Sequence, residues 1–98
     1  MNAVLETDFF RELYDSCEVA EQRRIDRIKD QLAVQLRVGK PLHYQWLREK
    51  RIEGNRLYYI INEATKKALL VAYGSKRQQQ RIINEIIAQK FEYQRLLA

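Results

Sequence analysis

Ninety-eight residues suit one domain around one modest core, read here as a single domain over residues 1–98. Charged residues make up 32% and hydrophobic ones 46%, with only three Gly and one Pro, which excludes a disordered chain and long structureless loops. Lysine and arginine outnumber aspartate and glutamate by 18 to 13, a net charge of +5 that favours polyanionic partners only where the excess is clustered.

Met1 to Thr7 alternates as a short strand. Thr7 or Asp8 is a good N-cap, because a side-chain oxygen there accepts an orphan backbone N–H. Phe9, Phe10, Leu13, Tyr14 and Cys17 then recur at helical spacing. Glu18 to Gly39 reads as a second, longer helix on Ile25, Ile28, Leu32 and Leu36. Its opposite face alternates in sign through Arg23, Arg24, Asp26, Arg27, Lys29 and Asp30, the pattern of a solvated face. Gly39 is the expected stop, followed by Lys40-Pro41, where helix does not continue. Lys40 to Tyr44 reads as a linker carrying His43.

Trp46–Ile52 and Asn55–Asn62 form a predicted hairpin, with Glu53-Gly54 supplying the residue able to take positive φ. Tyr58, Tyr59, Ile60 and Ile61 are apolar on both faces, which marks a central strand. Asn62 to Thr65 is a turn, and Lys67 to Tyr73 a further strand. Ser75 caps a helix predicted from Lys76 to Leu97. Its stripe of Ile82, Ile83, Ile86, Ile87, Phe91 and Leu97 is too apolar to stand in water. It docks on its own sheet, or meets a partner protein or a second copy in a homodimer. The expected fold is α+β in the order β-α-α-β-β-β-α: a small, mostly antiparallel sheet with an N-terminal helical hairpin and helices on one side.

Cys17 is the only cysteine, so no intramolecular disulfide and no thiolate metal site is expected, and the sole histidine, His43, lies far from it. There is no P-loop, GxSxG, HExxH or dinucleotide fingerprint, and no cluster at metal-ligand spacing, so no cofactor and no metal is expected. No apolar run approaches bilayer length and the first residues lack a secretory pattern, which predicts a cytoplasmic protein without a membrane partner.

The positive signal is cationic. Strand alternation puts Arg48 and Lys50 on one face and Arg51 on the other. A two-residue loop pairs Arg51 with Arg56. A three-residue loop pairs Lys50 with Arg56 and gathers Arg48, Lys50 and Arg56 near Tyr58; that register is the favoured one. Lys76, Arg77 and Arg81 stand at the start of the last helix, whose dipole also favours anions. Glu49, Glu53 and Glu85 are the carboxylates able to answer these cations internally.

In its order of elements and in GNRLYYIINEATKKALLVAYGSKRQQQ the chain resembles the RelE/ParE superfamily of toxin–antitoxin toxins, including the HigB-like branch. Gly54, Arg56 and Tyr59 match the Gly-x-Arg-x-x-Tyr strand, Leu69 to Tyr73 the apolar strand, and Lys76-Arg77 the basic opening of the last helix. The resemblance implies a ribosome-dependent mRNA endoribonuclease, working without a metal, with an antitoxin, the ribosome and mRNA as partners. It implies that Arg56 and Arg77 (or Lys76) stabilise charge on the phosphate or help the leaving group. Lys50 and Arg48 would hold the substrate backbone, with Arg51, Arg81 and Tyr58 nearby for RNA. The family's Tyr some six residues past the basic pair falls on Ile82 or Ile83 here, leaving Tyr58, Tyr73, Tyr44 or His43 as substitutes. The ParE-like branch, whose members share the fold but bind DNA gyrase, and a relative that has lost toxicity, are the alternatives.

Overall fold

The computed structural model describes residues 1–98. Its elements are β1 (Ala3–Glu6), α1 (Asp8–Ser16), α2 (Val19–Val34), β2 (Lys40–Leu42), β3 (Tyr44–Ile52), β4 (Asn55–Asn62), β5 (Lys67–Ser75), a 3₁₀ turn (Lys76–Gln78), α3 (Gln79–Ala88) and α4 (Lys90–Leu96). The α+β class holds. The five strands lie in the order β1-β5-β4-β3-β2, with β1 parallel to β5 and every other pair antiparallel, so the sheet is mixed.

Central β4 organises the packing because both of its faces are apolar. Leu57, Tyr59 and Ile61 face α1 and α2, where Phe10, Ile25, Ile28 and Leu32 complete one core. Tyr58 and Ile60 face the other way, against Leu47, Leu69 and Val71 from neighbouring strands and Ile82, Ile83 and Ile86 from α3. Each such Leu or Ile contributes about 1.5–3 kcal/mol on burial. Helices therefore cover both faces of the sheet, which corrects the one-sided arrangement expected from the sequence. Most of the C-terminal apolar stripe is spent inside the chain, and Phe91 is left 76% exposed.

Three boundaries also differ. Helix α2 stops at Val34, where Gln35 turns extended (φ −145°, ψ 116°), five residues before Gly39. Leu36 instead drops into the core, and its carbonyl accepts the Tyr59 hydroxyl at 3.1 Å. Residues 40–44 are not a linker: β2 pairs with β3, and His43 makes the turn at φ 63°. Pro41 is tolerated because β2 is an edge strand. The last helix is two helices, broken at Gln89 (φ −104°, ψ 15°). That break brings Leu97 back to the sheet, where its carbonyl accepts Thr65 Oγ1 at 2.6 Å.

No helix is long and apolar enough to cross a membrane.

Candidate functional site

The β3–β4 turn decides which cations share a surface. Ile52 pairs with Asn55 and Arg51 with Arg56, so the loop is the two residues Glu53 and Gly54. Positive φ falls on Glu53, at 55°, and not on Gly54. The register favoured from sequence is therefore off by one. A slip would exchange the faces of Leu47 and Ile52, which are buried in different cores, so packing fixes the pairing.

The consequence is a patch of four side chains under α3. Glu49 stands opposite Tyr58, Arg51 opposite Arg56, and all four share one face. Arg48 and Lys50 stand opposite Tyr59 and Leu57, on the α2 side. The expected gathering of Arg48, Lys50 and Arg56 on one face does not occur.

Arg48 is consumed by the scaffold. Its Nε and Nη2 donate to the Gly39 carbonyl at 3.2 and 2.9 Å, and Nη1 donates to the Gln45 carbonyl and Oε1 at 3.2 and 3.1 Å. It ties β2 to β3. The same knot needs Gly39, since a Cβ there would run into the Glu49 carbonyl and stand 3.0 Å from the Tyr59 hydroxyl. That hydroxyl accepts the Gly39 N–H at 2.7 Å.

Within the patch, burial deepens from exposed Arg51 to Arg56 at 6% and Tyr58 at 0%. Arg56 Nε is ion-paired to Glu49 Oε2 at 3.7 Å, too long for a hydrogen bond, and the Tyr58 hydroxyl makes no hydrogen bond of ordinary geometry, its neighbour Gln79 being bonded to Glu49. Buried donors without a hydrogen bond are rare in native proteins and point to a role beyond packing. Glu49 is only 5% exposed, accepts Gln79 Nε2 at 2.8 Å, and has Lys40 Nζ 3.6 Å from its other oxygen. Burial pushes the Tyr58 phenol up to about 12, and the Glu49 charge adds to the shift. Tyr58 is thus a proton-bearing donor at neutral pH, not a base.

Two basic surfaces converge on this patch. Gly74 lies opposite Arg56 on β5, and a Cβ there would stand 2.6 Å from Gln78 Oε1 and 2.9 Å from Ile82 Cδ1. Its absence lets the 3₁₀ turn fold back over the sheet, fixed by the Ser75 N–H donating to Gln78 Oε1 at 3.1 Å. Lys76 and Arg77 on that turn, and Arg81 further along α3, are exposed. On the other side, β2 begins at Lys40 opposite Glu49 and leaves the end of β3 as a free edge. A groove of about 380 Å³ there is lined by Val38, Gly39, Lys40, Glu49, Lys50 and Arg51, so Lys50 rejoins Arg51 at the edge although their strand faces differ.

Glu49, expected from sequence only as a carboxylate able to answer the cations, does so for Arg56 and Lys40 and also stands opposite Tyr58; Lys40 and Gln79 have no signal in the sequence as parts of the site. The four candidate substitutes for the family tyrosine separate clearly. Tyr73 is on the α2 side, donating to Glu21 Oε2 at 2.6 Å, with its phenol raised to about 12 chiefly by burial. Tyr44 and His43 lie at the opposite end of β3. Only Tyr58 is in the patch.

No family model and no curated protein matches the sequence. The fold, however, is that of E. coli RelE. The intact RelBE toxin–antitoxin complex superposes at a TM-score of 0.69 with 9% identity, over 76% of this chain and 96% of that one. A double-arginine mutant of RelE bound to an antitoxin RelBc peptide matches at 0.69 and 9%, over 91% and 93% of the two chains. The isolated RelE toxin gives 0.69 and 9% over 88% and 99%.

Proposed function

We propose that this protein is the toxin of a toxin–antitoxin pair and that it cleaves mRNA on the ribosome in the cytoplasm, with Glu49 and Arg56 at the reacting phosphate and Tyr58 buried deeper in the patch. The observation that carries the reading is the buried Arg56–Glu49 ion pair, whose 3.7 Å separation leaves Arg56 Nε without a hydrogen bond, where two basic surfaces meet. The RelE-like fold supports the toxin reading, and the RelB-bound structures support an antitoxin as partner.

In this mechanism Glu49 takes the proton of the ribose 2′-hydroxyl as O2′ attacks phosphorus and the P–O5′ bond breaks. A 2′,3′-cyclic phosphate forms, the 5′-oxygen leaves with a proton from water, and the hydroxide so formed takes the proton held by Glu49, which restores its carboxylate. The Arg56 guanidinium donates to the phosphoryl oxygens, where charge grows; arginine suits this because it stays charged and forks onto two oxygens. Lys40, Lys50 and Arg51 hold the backbone along the β3 edge, and Lys76, Arg77 and Arg81 hold it at the basic turn.

The test adds purified protein to translating ribosomes and maps new mRNA ends. Wild type should cut and leave cyclic phosphates. Glu49→Gln should lower the rate by about 10²–10⁴-fold, the usual weight of a general base, with the fold intact by circular dichroism. Unchanged cleavage by folded Glu49→Gln overturns the assignment of the base, and no cleavage by wild type overturns the RNase reading. The closeness of Arg56 to Glu49 and its 6% exposure favour one alternative, a ParE-like toxin in which the cluster is structural and binding to gyrase inhibits it. A supercoiling assay on the same preparations separates the two.

A further inference from the structure

At the opposite end of β3 from Arg51, the Tyr44 and Trp46 rings stack with centroids 4.9 Å apart and planes 19° from parallel. Tyr44 is 43% exposed. Lys90, the first residue of α4, holds its Nζ 5.5 Å from the Trp46 centroid, 6.0 Å from Tyr44 and 5.6 Å from the exposed ring of Phe91. Lys90 makes no ion pair with a carboxylate. The groove of about 440 Å³ beside the stack has Trp46, Leu97, Gln45 and Gln94 in its lining and the Arg37–Glu63 ion pair as its charged part. Trp46 is half-buried and packs against the core under α3 and α4, while Tyr44 stands outside both cores.

We infer that Tyr44, Trp46 and Lys90 form a platform for an unpaired base of single-stranded RNA, the base continuing the aromatic stack and Lys90 meeting the adjoining phosphate. The inference rests on the RNA-cleaving reading and extends its substrate track along β3. Three parts fit this ligand together. Exposed aromatic faces bind bases of any identity at about 1–3 kcal/mol each. An unanswered cation over the rings complements a polyanion. In the adjoining groove the Gln94 side-chain amide, which makes no hydrogen bond inside the protein, offers a donor and an acceptor to a base edge. Trp46 is three residues from Glu49, roughly 10 Å along a strand rising about 3.3 Å per residue, with strand alternation setting the two side chains on opposite faces.

Trp46 is the only tryptophan, which makes it a direct reporter. The intact protein is titrated with a 2′-O-methyl oligouridine, whose blocked nucleophile keeps it whole, and with an abasic oligomer of the same length. Trp46 emission should be quenched by the oligouridine and not by the abasic chain. Tyr44→Ala and Lys90→Gln should each weaken the quenching titration about 10-fold, as loss of roughly one stacked contact implies, while Arg27→Gln, on the exposed face of α2, should still quench. Equal quenching by the abasic oligomer overturns the platform. So does an unchanged spectrum with every oligonucleotide, which leaves the patch to a protein partner. Selective quenching without any mRNA cleavage on ribosomes keeps the platform and rejects the cleavage mechanism instead.

Discussion

Tyr58 and Tyr73 carry a pH dependence of their own. Burial is the main cause of both raised phenol pKa values, about 12 against an ordinary 10, with Glu49 adding to Tyr58 and the Glu21 hydrogen bond adding to Tyr73. A phenol is neutral when protonated, so a raised folded value means the folded state keeps its proton where the unfolded chain has lost it. Stability from this source is fully present below pH 10 and is lost as pH rises towards 12. The urea midpoint should therefore fall from about pH 10 upwards, and Tyr73→Phe should flatten the fall; ultraviolet titration of tyrosinate should show these two phenols ionising late. A midpoint indifferent to pH across that window would refute the assignment. At this scale the sequence is legible wherever a side chain satisfies its own neighbour. Thr7 caps α1 through the Phe10 N–H at 3.0 Å, and Asn62 Oδ1 accepts the Ala64 and Thr65 N–H groups in its turn. It is not legible at Glu53, His43 and Lys66, which take positive φ. Residue type disfavours that conformation at Glu53, and only the two-residue loop and the packing of Ile52 impose it.

Elements with a strong apolar period can be read from the sequence alone; those held by long-range contacts cannot. Strand β4 and the stripe on α3 fall in the first group. Strand β2 falls in the second, because its three residues include a proline and it exists only by pairing with β3, while Arg48 bonds across to the preceding Gly39. The break at Gln89 is likewise set by the return of Leu97 to the β4–β5 turn. This resolves what the C-terminal stripe is for, and the resolution is measurable. Ile83 is 4% exposed and sits in the core under α3. Ile83→Ala should cost about 2–5 kcal/mol in denaturant unfolding, the range for a buried Ile truncated to Ala. Phe91→Ala, at a site 76% exposed, should leave stability within about 0.5 kcal/mol. A Phe91 variant as damaging as the Ile83 variant would mean that α4 packs more deeply, or meets another copy.

Across the whole molecule, charge is sorted more sharply than the net value of +5 suggests. On the α2 side three cations find carboxylates, Arg24 lying 3.5 Å from Glu53, Lys29 binding Glu6 and Arg37 binding Glu63, while Arg23 and Arg27 stand exposed without an ion pair. Around the candidate site Lys50, Arg51, Lys76, Arg77 and Arg81 make no ion pair, and Arg56 and Lys40 share the single carboxylate of Glu49. Like charges held together without counter-ions cost stability, so a polyanion bound there recovers more than it would elsewhere on the surface. Counterion release then gives the field a signature in salt. Each phosphate neutralised on a single strand contributes about 0.7 to the slope of log affinity against log salt concentration. Replacing Lys50, Arg51 or Arg77 singly by Gln should reduce the slope for a single-stranded RNA by about that amount, because each stands where the backbone is proposed to run. Arg27→Gln removes an equal charge from the exposed face of α2, where carboxylates alternate with cations, and should leave the slope unchanged. Lys50 is the discriminating member. Its strand face is the one under α2, and only the open edge of β3 brings it into the groove with Lys40 and Arg51. A Lys50 variant behaving like Arg27→Gln would confine the RNA track to the α3 side of the sheet; one behaving like the Arg51 variant would place the track over the edge.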